Sequence, residues 1–114
     1  MSNWTKTLKR GDLYRVRNPP NDPKPARVFV VVSRDRLIRA PFETLICAPV
    51  RTRNRGLETE VPVGIDEGLL HDSAILCDGL VSMPRQFLTN YVGSLGPEKL
   101  AELRRALRIA LDVE

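Results

Sequence analysis

Runs of apolar residues in the first half of the chain predict three β-strands. Leu13–Arg17 alternates apolar and polar residues and predicts a half-buried strand. Arg27–Ser33 is almost continuously apolar, which predicts a central strand buried on both faces. Thr44–Val50 predicts a third strand, in which Pro49 indicates a sheet edge or a bulge near its end, because proline cannot donate a ladder hydrogen bond.

Shorter extended segments, separated by turn residues, continue the sheet pattern. They comprise an edge strand at Thr59–Val63 and three further pieces at Ser73–Cys77, Leu80–Met83 and Tyr91–Ser94. Single turns of helix are expected at Arg34–Pro41 and Pro84–Thr89.

Residues 97–112 have the only long helical pattern. Pro97 suits a first helical position, and Glu98 suits the positive end of the helix dipole. Apolar residues recur there at helical spacing, at Leu100, Leu103, Ala106, Leu107, Ala110 and Leu111. Many short strands followed by one helix predict a mainly β protein with a C-terminal α-helix, arranged as a small, partly open β-barrel.

The 114 residues suffice for one domain. Residues 1–10 are polar and predict a loosely held leader, and residues 11–114 predict a single barrel domain with a proline-rich loop at 18–25. No run approaches the ~18 apolar residues of a membrane span. The N-terminus also lacks the apolar segment of a signal peptide.

Cysteine and histidine are too few for a zinc site with the usual four ligands. Cys47, Cys77 and His71 are the only ones, and each cysteine lies in an apolar segment. We expect both cysteines to be reduced core thiols of a cytosolic protein rather than a disulfide. For His71 two interpretations stay open, a loop or surface imidazole and a general base.

The net charge of +4 is unevenly distributed. Residues 1–57 contain 13 Lys and Arg against 4 Asp and Glu, whereas residues 58–114 contain 5 against 10. Of the 18 basic residues 14 are arginine, whose planar guanidinium suits phosphate. The basic half therefore predicts an anionic partner such as nucleic acid.

Arg27 is the most informative of these cations. It opens the most apolar strand, so we expect its guanidinium to be buried or half-buried and to need an anion. That anion is either a carboxylate such as Asp12 or Asp78, or the phosphate of a ligand. The arginines at 51–55 are likewise either a solvated basic turn or part of a binding surface.

The well-marked nucleotide, zinc-protease and serine-hydrolase motifs are absent from the sequence. Instead, a series of segments resembles the MazF/PemK toxins in order along residues 10–112. These segments are Gly11-Asp12-Leu13-Tyr14, Arg27 followed by Val28–Ser33, Cys47-Ala48-Pro49-Val50, Gly56–Val61, Asp72–Asp78 and Leu95–Leu100.

The resemblance implies an SH3-like (CcdB/PemK-like) barrel and the toxin component of a type II toxin–antitoxin system. It also implies a cytoplasmic homodimer that acts as an endoribonuclease on single-stranded RNA at short sequences. Such enzymes need no metal or other cofactor and leave a 2′,3′-cyclic phosphate and a 5′-hydroxyl. The implied partners are mRNA and an antitoxin whose acidic, disordered tail covers the RNA groove, with no membrane.

The resemblance also implies catalytic residues. The family's arginine at the start of the second strand corresponds to Arg27, but its threonine or serine after the third strand corresponds to Arg51. The adjacent Thr52 can take that place only if a bulge or turn begins there, because successive strand residues face opposite sides. In PemK-like members an arginine and an aspartate also act, and these positions are Leu76 and Asp78 here.

We therefore expect Arg27, Thr52 and Asp78 to be catalytic. The expected RNA-binding residues share a positive charge and lie in the basic half: Arg15, Arg17, Lys24, Arg51, Arg53 and Arg55. Two alternatives follow from the mismatch at Arg51 and from the fold. One is a catalytically degraded relative that binds antitoxin or RNA, and the other is a gyrase inhibitor of the CcdB kind.

Overall fold

The structure is a computed structural model that describes residues 7–17, 26–40 and 42–114. These described residues form seven antiparallel strands, two α-helices and three short 3₁₀ turns. The strands are β1 (Asp12–Val16), β2 (Arg27–Val31), β3 (Thr44–Arg51), β4 (Glu60–Val63), β5 (Ser73–Leu76), β6 (Val81–Pro84) and β7 (Asn90–Ser94). The helices are α1 (Asp35–Arg39) and α2 (Pro97–Leu111).

The strands form one sheet in the order β4-β5-β3-β2-β1-β7, with β6 paired to β3. The predicted mainly β architecture with a C-terminal helix is confirmed, as are the central position of β2 and the edge position of β4. Part of the predicted leader, residues 1–6, and the proline-rich loop at 18–25 lie outside the described residues.

Of the two alternatives predicted for Pro49, a sheet edge and a bulge, the sheet edge is wrong. Strand β3 lies inside the sheet and pairs with β2 along Cys47–Val50. On its other side β3 changes partner, pairing with β6 through Thr44–Cys47 and with β5 only from Val50 onward. Pro49 falls in the gap between these two ladders, so it pairs with Phe29 of β2 on one side and with neither β5 nor β6 on the other. The proline is therefore tolerated inside the sheet.

Two apolar clusters pack on opposite faces of the sheet. The first, which includes Leu13, Val30 and Ile75, is covered by α2 through the buried Leu103, Ala106 and Leu107. The second contains Tyr14, Val31, Ile38, Leu45, Cys47, Met83 and Leu88. The helical stripe predicted from the sequence is thus confirmed in its middle, whereas Leu111 at its end is exposed.

Strand β2 is buried on both faces only in its second half. Val30 and Val31 are fully enclosed, but Val28 and Phe29 are half-buried and Arg27 is exposed. The expectation that the whole strand is buried is therefore wrong at its beginning. The strand emerges at the open end of the sheet, which leaves its first side chain accessible to a ligand.

A buried carboxylate connects β1 to its neighbours. Asp12 accepts hydrogen bonds from the Ser94 hydroxyl (2.7 Å) and from the backbone N–H of Lys9 (3.0 Å). Ser94 and Tyr91 of β7 also share a hydrogen bond of 2.5 Å. Burial raises the pKa of Tyr14 to about 12, with further contributions from Asp12 and Tyr91. The Gly11–Tyr14 segment therefore has a structural role, holding the two strands together.

Both cysteines are free and buried, in different clusters, as predicted. Among the described residues, no helix is long and apolar enough to cross a membrane.

Candidate functional site

Arg27 lies at the open end of the sheet, where β1, β2 and β3 terminate or begin side by side. It pairs with Val16 of β1, and the next residue, Val28, pairs with both Arg15 and Val50. The guanidinium is exposed rather than half-buried, so the expected burial is wrong. The two carboxylates considered as its partners are engaged elsewhere, Asp12 with Ser94 and Asp78 with Thr59.

Thr52 lies beside Arg27 because β3 ends one residue earlier. The strand stops at Arg51 and the chain bends at Thr52, which is the turn that allows Thr52 to take the place of a hydroxyl residue at position 51. Two adjacent clefts are each lined by both Arg27 and Thr52. The structure thus brings together two of the three residues that were predicted to be catalytic.

The first cleft has a volume of about 320 Å³ and carries the denser positive charge. Its lining comprises Arg27, Pro49, Val50, Arg51, Thr52 and Arg53. Three arginines on one small opening would repel one another without an anion, so the cleft is suited to phosphate.

The second cleft, of about 210 Å³, lies on the other side of Arg27. Its floor is the row formed by Arg15, Val28 and Val50 across three paired strands. Its remaining wall comes from the loop before β5, with Leu70 and His71, and from Ser73 at the start of β5. An exposed imidazole and an exposed apolar side chain thus face two arginines.

The sequence did not assign His71 to the site. Its proximity to Arg27 depends on how the loop before β5 folds back over the ends of β2 and β3. No spacing pattern in the chain predicts this contact. The available signal was that His71 is the only histidine and lies two residues before a predicted strand, and a general base was one of the two interpretations that the sequence left open for it.

Arg55 is bound to a carboxylate. Its Nε lies 3.3 Å from Oε2 of Glu60, and its backbone N–H donates to Oε1 of the same side chain at 2.9 Å. Arg55 lines neither cleft. Among the other predicted RNA contacts, Arg17 is exposed just beyond β1, and Lys24 lies outside the described residues.

The pKa of Glu60 reflects these contacts. Burial alone would raise it, but hydrogen bonds from the backbone N–H groups of Arg55 and Leu57 and from the Arg55 guanidinium outweigh the burial. The pKa is therefore lower than that of an ordinary glutamate, and Glu60 holds the segment after β3 in place as an anion.

Asp78 lies apart from both clefts. It sits in the 3₁₀ turn Cys77–Gly79, and its Oδ2 accepts a 2.6 Å hydrogen bond from the Thr59 hydroxyl. The structure therefore places Arg27 and Thr52 together and leaves the third predicted catalytic residue outside their clefts.

The two clefts can bind the backbone of an extended polyanion. Arg27 and Thr52 line both clefts, Arg51 and Arg53 add positive charge to the first, and Arg15 adds it to the second, which suits successive phosphates of one strand. Residues 7–17, 26–40 and 42–114 contain no group of three or more His, Cys, Asp or Glu side chains that could hold a metal ion.

Comparison with known proteins identifies the family of the chain. Residues 9–111 match the family described as PemK-like, MazF-like toxin of type II toxin–antitoxin system. The chain is 32% identical over 89 residues to Endoribonuclease MazF3 of Mycobacterium tuberculosis, covering 78% of this chain and 85% of that protein.

Solved structures share the fold. Mycobacterium tuberculosis toxin MazF-mt6 superposes with a TM-score of 0.78 at 27% identity, covering 90% of this chain and 98% of the other. A mycobacterial endoribonuclease in complex with its cognate antitoxin has the same TM-score at 22% identity, with coverages of 92% and 95%. The family match spans nearly all of the described barrel, so the chain belongs to the PemK-like, MazF-like toxins of type II toxin–antitoxin systems.

Proposed function

We propose that the protein cleaves single-stranded RNA without a metal ion, in the two clefts that share Arg27 and Thr52. The observation that carries this proposal is that both residues line both clefts. Arg27 would bind the non-bridging oxygens of the scissile phosphate and stabilise the negative charge that develops there. The 2′-oxygen would attack phosphorus, leaving a 2′,3′-cyclic phosphate and a 5′-hydroxyl.

The family's threonine or serine corresponds to Arg51 in this chain, and Thr52 supplies the hydroxyl in its place. Because the chain turns after β3, Thr52 can donate a hydrogen bond to the same phosphate. Arg51 and Arg53 line the first cleft and would bind a neighbouring phosphate. We propose Arg15 and Arg17 as further contacts along the RNA, since both are exposed near the end of β1.

The test uses purified protein, EDTA and a pool of labelled single-stranded RNAs. We expect cleavage products with 5′-hydroxyl ends, which polynucleotide kinase can label directly. Arg27→Ala should reduce the cleavage rate by about 10²–10³-fold, the usual effect of removing one transition-state donor. Arg36→Ala, an exposed arginine of α1 that lines neither cleft, is the matched control and should cleave normally.

Thr52 is tested by two substitutions. Thr52→Val removes the hydroxyl at nearly constant volume and should slow cleavage by about 10–100-fold, the equivalent of one hydrogen bond to a charged group. Thr52→Ser should retain most of the activity. Equal rates for both variants would exclude a role for the hydroxyl. Tight RNA binding by the wild-type protein without any cleavage would favour the alternative of a degraded, RNA-binding relative.

An antitoxin with an acidic tail would compete with RNA for the arginines of the clefts. The solved complex of a mycobacterial endoribonuclease with its cognate antitoxin supports this partner. The interaction would take place in the cytoplasm, where two buried free thiols are stable. Titration of labelled RNA with the antitoxin should displace it completely. Simultaneous binding of both would contradict a shared site.

Homodimerisation is supported by an uncovered apolar groove between β3 and the end of α2. The groove has a volume of about 380 Å³, and its apolar lining includes Ile46, Leu80, Leu107, Leu111 and Val113. Exposed apolar surface of this kind marks interfaces, and we propose that a second copy covers it. Leu111→Arg should convert a dimer to a monomer in sedimentation experiments, whereas a monomeric wild-type protein would exclude the proposal.

A further inference from the structure

The imidazole of His71 faces the proposed phosphate site from the side opposite the strands. It lines the second cleft together with Arg15, Arg27 and Thr52. These four side chains come from β1, β2, the turn after β3 and the loop before β5. His71 is exposed, so an RNA strand in this cleft could contact it directly.

The loop that carries His71 is fixed at both ends. On one side Leu69 is buried in the first core cluster, and its backbone N–H donates to Gly64 at 3.1 Å. Glu67 binds the backbone N–H of the same glycine at 2.7 Å. On the other side the buried Ser73 donates its hydroxyl to the carbonyl oxygen of His71 at 2.9 Å. The backbone of His71 is therefore held at the cleft.

The cleft offers one group suited to accepting a proton near neutral pH. Arg15 and Arg27 stay protonated and can only donate hydrogen bonds. Thr52 and Ser73 carry hydroxyls that remain protonated at neutral pH. The neighbouring Asp72 lines a different cavity, with Gly64 and Glu67, on the other side of the loop. Histidine is the side chain whose charge normally changes between about pH 5 and pH 8.

We propose that His71 is the general base of RNA cleavage. Its imidazole accepts the proton of the 2′-hydroxyl as the 2′-oxygen forms its bond to phosphorus. The bond from phosphorus to the 5′-oxygen breaks, and the 5′-oxygen takes up a proton from water. The imidazolium then returns its proton to solvent. This assignment rests on the proposed ribonuclease activity. It gives the site a proton acceptor, a role that Arg27 and Thr52 cannot fill because both stay protonated near neutral pH.

The experiment compares wild type and His71→Gln in single-turnover cleavage of a labelled RNA from about pH 5 to pH 8. Glutamine keeps a polar side chain but does not act as a base. The variant should be about 10²–10⁴-fold slower at the upper end of this range. The difference should shrink as the pH falls, because the wild-type imidazole becomes protonated and loses its function. Added imidazole should partly restore the activity of His71→Ala.

Asp72→Asn is the matched control, since it changes the adjacent exposed residue that faces another cavity. It should keep the wild-type pH profile. A wild-type to His71→Gln ratio that is constant with pH, with no response of His71→Ala to imidazole, would overturn the proposal. If the wild type cleaves, Arg27→Ala does not, and His71→Gln is fully active, only the general-base assignment fails. An inactive wild type instead rejects the ribonuclease function itself.

Discussion

The Arg55 guanidinium is paired with the buried carboxylate of Glu60, with 3.3 Å between Nε and Oε2. Only 2% of the Glu60 side chain is exposed, against 61% of that of Arg55. The carboxylate also accepts hydrogen bonds from the backbone N–H groups of Arg55 and Leu57. This pair therefore fixes the path of residues 52–57, which follow β3 and include Thr52 of the two clefts.

Replacing Glu60 should destabilise the fold. Glu60→Ala leaves two backbone N–H groups and one guanidinium without their acceptor, so we expect the free energy of unfolding to fall by about 1–3 kcal/mol. Urea denaturation at neutral pH measures the difference. Glu58→Ala, in the same segment but exposed, serves as the control and should change little.

The effect of Glu60 should depend on pH. Its folded-state pKa is lowered, so its stabilising contribution is fully present above the ordinary glutamate value of 4.5 and is lost as the pH falls through the lower folded-state value. Wild type and Glu60→Ala should thus become more alike in acid. A stability difference that is unchanged between neutral and strongly acidic pH would show that the charge of Glu60 is unimportant.

Arg53 and Arg55 should behave differently although they are two residues apart. Arg53→Ala removes a cation from the first cleft and should weaken RNA binding, with a salt dependence reduced by about 0.7 in slope per lost phosphate contact. Arg55→Ala should lower stability and leave that slope unchanged. Binding of an RNA with a 2′-deoxy cleavage position, titrated over a range of salt, tests this. Equal slopes for both variants would place Arg55 on the RNA as well.

Gly93 should tolerate no side chain. A Cβ there would lie 2.1 Å from the carbonyl oxygen of Glu67, so β7 and the loop that carries His71 would have to separate. We expect Gly93→Ala to cost about 1–3 kcal/mol or more of stability and to reduce cleavage. Gly96→Ser, where a Cβ meets nothing within 4 Å, is the control for thermal unfolding. A wild-type melting temperature for Gly93→Ala would contradict the close contact.

The two cysteines should be unreactive in the folded protein. Burial raises the pKa of Cys47 to about 12, and burial together with Asp78 raises that of Cys77 to about 11. Little thiolate therefore forms near pH 8, and access is blocked as well. A disulfide reagent should titrate no thiol under native conditions and two after denaturation. Rapid native labelling would contradict this packing.

Much of the fold is predictable because short-range patterns determine it. The apolar runs located β1, β2 and β3 within two residues at either end, and helical spacing with Pro97 located α2. The sheet-edge alternative for Pro49 failed because a proline is accommodated inside the sheet where β3 changes its partner from β6 to β5. Both of these strands lie more than 20 residues away in the chain. Arg27 was expected to be buried or half-buried but is exposed, because the apolar run does not show which end of the strand leaves the core.

The candidate site is predictable only in part. Thr52 follows from the sequence once a turn is allowed after Arg51, and Arg27 follows from its place at the start of a strand. The sequence left the two interpretations of His71 open, because Arg27 is more than 40 residues away in the chain and the contact is created by the loop before β5. The pairing of Arg55 with Glu60 also could not be predicted, because it depends on the burial of the Glu60 carboxylate, and a count of charges along the sequence does not show which carboxylates are buried.

Because α2 covers one face of the sheet, the packing of the sheet depends on a segment that is synthesised after every strand. Its Leu103, Ala106 and Leu107 complete the core under strands that precede them all in the sequence. A chain synthesised only as far as β7 contains every cleft residue, but the face of the sheet that α2 covers is still exposed. The first core cluster therefore cannot be completed until residues 97–111 have been synthesised, so the strands that carry the cleft residues depend for their packing on a segment that is made after them.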